Sequence, residues 1–228
     1  VYQFTPIIVL GDTGSGKSAL ADTFSDWKRQ ARQYPGAVFN GENLDVYLGT
    51  QTLTIELPGR LLSMPTQMVR KALLRAFTPI LNRADPVVVI SLSVNTLREQ
   101  SPDYLRELAE SIRGKLDVLS SVRKQALTIR LAITSTDEVE GFEAWSRLSN
   151  SSQIASNVDL DAGELNATLA RISAIEDYSP LALTSLSAQD YLDFISFTQH
   201  LPKELSQLGD FLESLFASNP MSEPPRGD

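Results

Sequence analysis

Apolar positions follow two rhythms along the chain, and the rhythms alternate. Phe4–Leu10, Val87–Leu92 and Thr128–Ile133 are short β-rich apolar runs of the kind buried in a sheet. Between them lie longer segments with apolar residues at helical spacing. Ser18–Gln33 carries Leu20, Phe24 and Trp27 on one face and is broken by Tyr34-Pro35-Gly36. Thr66–Leu81 reads as an amphipathic helix with Met68, Ala72, Leu73, Ala76 and Ile80 inward. Pro102–Val122 is a long helix whose core face is Leu105, Leu108, Ile112, Leu116 and Leu119. Asp45–Leu48 and Thr52–Leu57 alternate around Gly49-Thr50-Gln51, the pattern of a β-hairpin.

The later part of the chain is more mixed. Phe142–Leu148 predicts a short helix, Ser149–Asn157 a polar loop and Ala162–Glu176 another helix. A last strand falls either at Pro180–Ser187, with Gln189–His200 helical after it, or at Tyr191–Thr198. Lys203–Phe216 predicts a closing helix with Leu205, Leu208, Phe211, Leu212 and Leu215 inward, and Ala217–Asp228 a Pro-rich exit.

Strands alternating with helices imply a three-layer α/β fold around a mostly parallel sheet. The single hairpin after the first helix adds one antiparallel edge. This is the Ras-like order of a P-loop NTPase domain, here with a C-terminal helical extension. Residues 1–148 form its expected core. Residues 149–217 supply a remaining core strand, a helical insertion and the C-terminal helix, and 218–228 an exit linker.

Composition narrows the chemistry. The 228 residues are 42% hydrophobic, enough for a substantial core. A formal net charge of −8 argues against a nucleic-acid backbone as the main partner. Without cysteine there is no disulfide framework or thiolate metal site, and the single histidine, His200, makes no cluster. No apolar run approaches the ~20 residues that span a bilayer. The start at Val1 and the stop at Pro224-Pro225-Arg226-Gly227-Asp228 look like cuts in a longer polypeptide.

Between the first strand and the first helix stands Gly11-Asp12-Thr13-Gly14-Ser15-Gly16-Lys17-Ser18, then Ala19. It is a complete G-x-x-x-x-G-K-[ST] phosphate-binding loop in its required strand–loop–helix setting. The glycines free the backbone to wrap a phosphate with its N–H groups, and the following helix points its positive end there. Lys17 is placed to reach the β- and γ-phosphates and Ser18 to bind Mg²⁺. The ligand is GTP or ATP.

Two further segments fall on the same rim of strand ends. Glu56-Leu57-Pro58-Gly59 stands where a GTPase carries D-x-x-G, so Glu56 supports the metal and the Gly59 N–H meets the γ-phosphate. Arg60 follows; arginine cannot act as a base but can stabilise phosphate charge. Thr134-Ser135-Thr136-Asp137 stands where base-reading GTPases have [NT]-K-x-D, so Asp137 is placed to accept two hydrogen bonds from guanine. The plainer alternative is an N-cap at Thr136 or Asp137. Ser187-Ala188 offers a small backbone loop to cover a base. Between Arg32 and Asp45 there is no threonine of the sort a switch loop brings to Mg²⁺. Slow hydrolysis, or binding without turnover, fits that gap.

Taken together these segments resemble the TssM/IcmF family of type VI secretion. Its cytoplasmic domain carries a P-loop and a hairpin ending D-T-A-G-R, here Glu56-Leu57-Pro58-Gly59-Arg60. A strand ending T-K-x-D and then G-F-x-x-F follow, here Thr134 to Asp137 and Gly141-Phe142-Glu143-Ala144-Trp145. The family's F-L-x-x-L-F-x-x-N-P exit matches Phe211-Leu212-Glu213-Ser214-Leu215-Phe216-Ala217-Ser218-Asn219-Pro220, with Glu223-Pro224-Pro225-Arg226-Gly227 after it. Glu56 for Asp and Ser135 for Lys are departures. The resemblance implies a nucleotide-dependent switch at the cytoplasmic face of the bacterial inner membrane. It implies TssL and TssJ as membrane-complex partners and TssK on the baseplate side. The alternatives are a free-standing Ras-like GTPase of bacterial polarity or motility type, and a scaffold with a remnant P-loop.

Overall fold

Five strands form one sheet in the order β2-β3-β1-β4-β5 in a computed structural model that describes residues 4–24, 44–123, 127–148, 167, 184 and 186–216. Strands β1 (Thr5–Gly11), β3 (Thr52–Glu56), β4 (Val87–Ser93) and β5 (Thr128–Thr134) run parallel, and β2 (Asp45–Leu48) pairs antiparallel with β3 at the edge. This is the expected three-layer α/β fold of a Ras-like P-loop domain.

Side-chain alternation along β1 explains the layers. Ile8 and Leu10 face one way, into the large core with Leu73, Phe77, Ile112, Leu116 and Phe211. Ile7 and Val9 face the other way and pack with Val89 against Leu20 and Phe24. Leu20 belongs to α1 (Lys17–Thr23). The large core is closed by α3 (Thr66–Leu81), which follows the short α2 (Arg60–Ser63). It is also closed by α5 (Pro102–Arg123), which follows α4 (Val94–Glu99).

The inner face of α3 is Val69, Leu73, Phe77 and Leu81, one unbroken i,i+4 stripe, with Ala72, Ala76 and Ile80 along its edge. Met68 stands 66% exposed, contrary to its expected inward place: it shares the edge row of Ala72, Ala76 and Ile80 but lies in the first turn of α3.

Residues 180–183 and 185 of the last strand expected at Pro180–Ser187 lie outside the described residues, and the helix expected after it over Gln189–His200 is present. Tyr191–Thr198 lies inside α7 (Ala188–Glu204), and in Pro180–Ser187 the described Thr184 is helical while Ser187 caps α7. The Ser187 hydroxyl accepts from the Asp190 N–H at 3.1 Å, and Phe194, Phe197, Thr198 and Leu201 are buried at helical spacing. Ser187 is therefore a helix cap. The single helix expected over Lys203–Phe216 is two. α7 ends at Glu204, with Leu205 as its C-cap, and α8 (Leu208–Phe216) begins after a turn, which lets the Gln207 side chain donate to the Leu97 carbonyl at 2.7 Å.

Gly141 and Phe142 have clear structural jobs. Gly141 has φ +82° and lies so close to the Asp193 carbonyl of α7 that no Cβ fits. Phe142 and Trp145 of α6 (Phe142–Leu148) then stack around Phe197, with centroids 5.7 and 4.8 Å away. Trp27, the 149–157 loop, the rest of the 162–176 helix and the exit from 217 onward lie outside the described residues.

Candidate functional site

The loop from Gly11 to Ser18 joins the end of β1 to α1 at the carboxyl rim of the sheet. Gly14 and Gly16 take φ +80° and +73°, which residues with a Cβ rarely adopt. The loop is held from two neighbouring strands. The Ser15 carbonyl accepts from the Ser91 hydroxyl at the end of β4 and from Thr134 Oγ1, 2.8 Å away, at the end of β5. Thr134 is thus a tether for the phosphate loop.

Lys17 is 6% exposed, and its Nζ donates back to the Asp12 carbonyl at 2.5 Å. The ammonium is thereby folded over the loop it would serve. Burial pushes its pKa below the usual 10.5, and the charges of Glu56 and Asp12 pull it partly back. Such a cation is under-compensated and suited to an anion. Asp12 turns its carboxylate outward, accepting from the Thr13 N–H at 2.7 Å and from the Tyr104 hydroxyl. Burial, with the Asp12 contact behind it, pushes the Tyr104 phenol up to about 12.

Glu56 ends β3, 8% exposed, directly below the start of α1. Ser18 Oγ donates to its Oε1 at 3.0 Å, and the Tyr47 hydroxyl donates to its Oε2 at 2.9 Å. The expected metal pair, Ser18 and Glu56, is therefore assembled. A hydroxyl beside a carboxylate, next to a phosphate loop, is the oxygen donor set Mg²⁺ takes when phosphates complete its shell. The residues present fit Mg²⁺.

Gly59 approaches the phosphate loop so closely that a Cβ would lie 2.4 Å from Thr13 N and 2.7 Å from Thr13 Cα. Gly59→Ala is expected to push the two segments apart and to destabilise the protein by about 1–3 kcal/mol, the usual range for overpacking. A thermal melt measures it. Arg60 follows at the exposed start of α2, with its guanidinium outside the buried cluster.

Asp137 lies in a 3-10 turn (Thr136–Glu138) just past β5, exposed, and makes no hydrogen bond among the described residues. That turn starts from Ser135, which holds φ +55° with no side-chain cap, so neither Thr136 nor Asp137 is an N-cap. A non-glycine residue at positive φ carries strain of about 1 kcal/mol or more, and such positions cluster at ligand-binding rims.

The structure thus brings Gly11 to Ser18, Ala19, Glu56, Gly59, Thr134 and Asp137 to one rim. Sequence reasoning missed Tyr47, Ser91 and Tyr104. Tyr47 had a signal: it stands diagonal to Glu56 across the hairpin, two positions from its register partner Thr54. Ser91 and Tyr104 are joined to the loop only through the fold.

No family model matches the chain, and no curated protein matches it. Among solved structures it is similar to the G domain of the T. maritima FeoB iron transporter, at 19% identity over 64% of this chain and 83% of that one, TM-score 0.33. It is also similar to a mutant S. thermophilus NFeoB bound to GDP, at 15% identity over 93% of this chain and 98% of that one, TM-score 0.37. At these values the likeness assigns no residue a role.

Proposed function

We propose that the chain is a guanine-nucleotide-binding switch domain. The phosphates sit on the loop from Gly11 to Ser18, Mg²⁺ sits at Ser18 backed by Glu56, and the base is read by Asp137. One observation carries this reading: Lys17, the Ser18–Glu56 pair and an unengaged Asp137 stand on one rim of a Ras-like sheet. Loop and metal pair alone would suit ATP equally. Asp137 decides for guanine, since a carboxylate matches the two adjacent N–H donors of that base.

Turnover on this rim is slow. Glu56 is bound to Ser18 and Tyr47, Arg60 cannot take a proton from water, and the segment before β2 offers no threonine for the metal. The domain works by which nucleotide it holds, and Gly59 against Thr13 is the contact a γ-phosphate would disturb first.

Asp137→Asn tests the base assignment. Loss of two charge-assisted hydrogen bonds should weaken GTP binding about 100-fold, while xanthosine triphosphate binding strengthens. Competition between the two nucleotides measures it. Unchanged GTP affinity in the variant, or wild-type preference for ATP, contradicts it.

The narrower reading places the domain in a type VI secretion membrane complex, at the cytoplasmic face of the inner membrane. Its support is the run Gly141-Phe142 after Asp137 together with the Asn219-Pro220 and Pro224-Pro225 exit. Co-purification of the full gene product with TssL from membranes tests it; recovery in the soluble fraction, free of TssL, contradicts it.

A further inference from the structure

We propose that Tyr47 is a positioning residue for the metal site: its hydroxyl fixes the Glu56 carboxylate so that Oε1 faces Ser18. The inference rests on the nucleotide reading above and deepens it. Glutamate is one methylene longer than the aspartate usual at this position, so it has one more torsion to fix. A carboxylate that supports a metal must be held close to its working geometry, and its outer hydrogen bonds do that.

The fold supplies the clamp. Asp45, opposite Glu56, and Tyr47, opposite Thr54, lie on one face of the β2–β3 hairpin, which turns Tyr47 diagonally toward Glu56. Tyr47 is 3% exposed, so its hydroxyl has little access to water as a substitute partner. With Tyr47 on Oε2 at 2.9 Å and Ser18 on Oε1 at 3.0 Å, both carboxylate oxygens are engaged from opposite sides.

Tyr47→Phe keeps the ring and removes only the donor. The readout is Mg²⁺ dependence of nucleotide retention, followed with a fluorescent GDP analogue released into excess GDP at graded Mg²⁺ and in EDTA. The Mg²⁺ concentration for half-maximal retention should rise by about tenfold or more, with EDTA-state affinity within about twofold of wild type. A purely structural tyrosine would lower the melting temperature and leave the Mg²⁺ midpoint in place, and that result overturns the proposal. Glu56→Gln supplies the second arm. Because Tyr47 acts through Glu56, the double variant should be no worse than Glu56→Gln alone; additive losses overturn the proposal. Wild-type protein that retains no nucleotide defeats the nucleotide reading itself. Wild-type retention with an unmoved midpoint in Tyr47→Phe defeats only the role of Tyr47.

Discussion

Lys17→Ala should abolish nucleotide binding and leave the fold intact. In the free protein the ammonium is nearly buried and bonded to a loop carbonyl, with Glu56 and Asp12 as its nearby charges. A phosphate would supply the full charge partner it lacks. Two charge-assisted hydrogen bonds at about 1.5–3 kcal/mol each correspond to a loss of roughly 100-fold or more. Stability should hold at neutral pH, because the substitution removes a desolvated cation from the folded state. Affinity should carry a pH signature too. Burial lowers the Lys17 pKa in the free protein, and bound phosphate restores the charged form. Binding then takes up a proton once pH passes the lowered value, so affinity is flat below it and falls above it. Calorimetry of both proteins at several pH values measures this. A Lys17→Ala protein that binds as tightly as wild type rejects the phosphate site.

Lys115→Ala should be among the most destabilising single changes, at about 2–5 kcal/mol by chemical denaturation, the range for emptying a buried long side chain. Lys115 is 1% exposed on α5. Its Nζ donates to the Met64 carbonyl at 2.7 Å, to Ser111 Oγ at 2.9 Å and to the Leu62 carbonyl at 3.3 Å. Leu62 and Met64 stand at the end of α2, where a cation meets the negative end of the helix. This lysine therefore holds in place the segment that begins at Gly59 and Arg60. Lys115→Met keeps the aliphatic stem and should lose much less. Burial lowers the Lys115 pKa in the folded state, so the unfolded chain holds more protons between that value and 10.5. Wild-type stability contributed by this group should accordingly rise with pH across that window, and the Met variant should lose the rise.

Much of this architecture was legible because local rules and global fold agreed. The Val/Ile run at Val87–Leu92, the hairpin around Gly49 and the phosphate loop each sit where their pattern placed them. Where the sequence left a choice, the cause is physical. Tyr191–Thr198 is short and apolar, and strand and helix periods cannot be separated over such a length; packing against Trp145 and Phe142 decided for the helix expected over Gln189–His200 and against the alternative strand. Met68 is as apolar as Val69, and only the position of the core tells them apart. Within the site, the loop and Glu56 announced themselves by spacing. Ser91 and Tyr104 did not, since only the fold brings them to the loop; outside the site, Lys115 did not either, since a lysine in a long helix ordinarily faces water.

The central claim is that this rim holds a magnesium–guanine nucleotide. Isothermal titration of the wild-type protein with GDP and GTP in Mg²⁺, and with ATP beside them, tests it most directly. Saturable binding of a guanine nucleotide at one site per chain, weakened by EDTA and tighter than ATP, is the predicted result. Absence of binding by any of the three at millimolar concentration would contradict it and leave the loop a structural remnant.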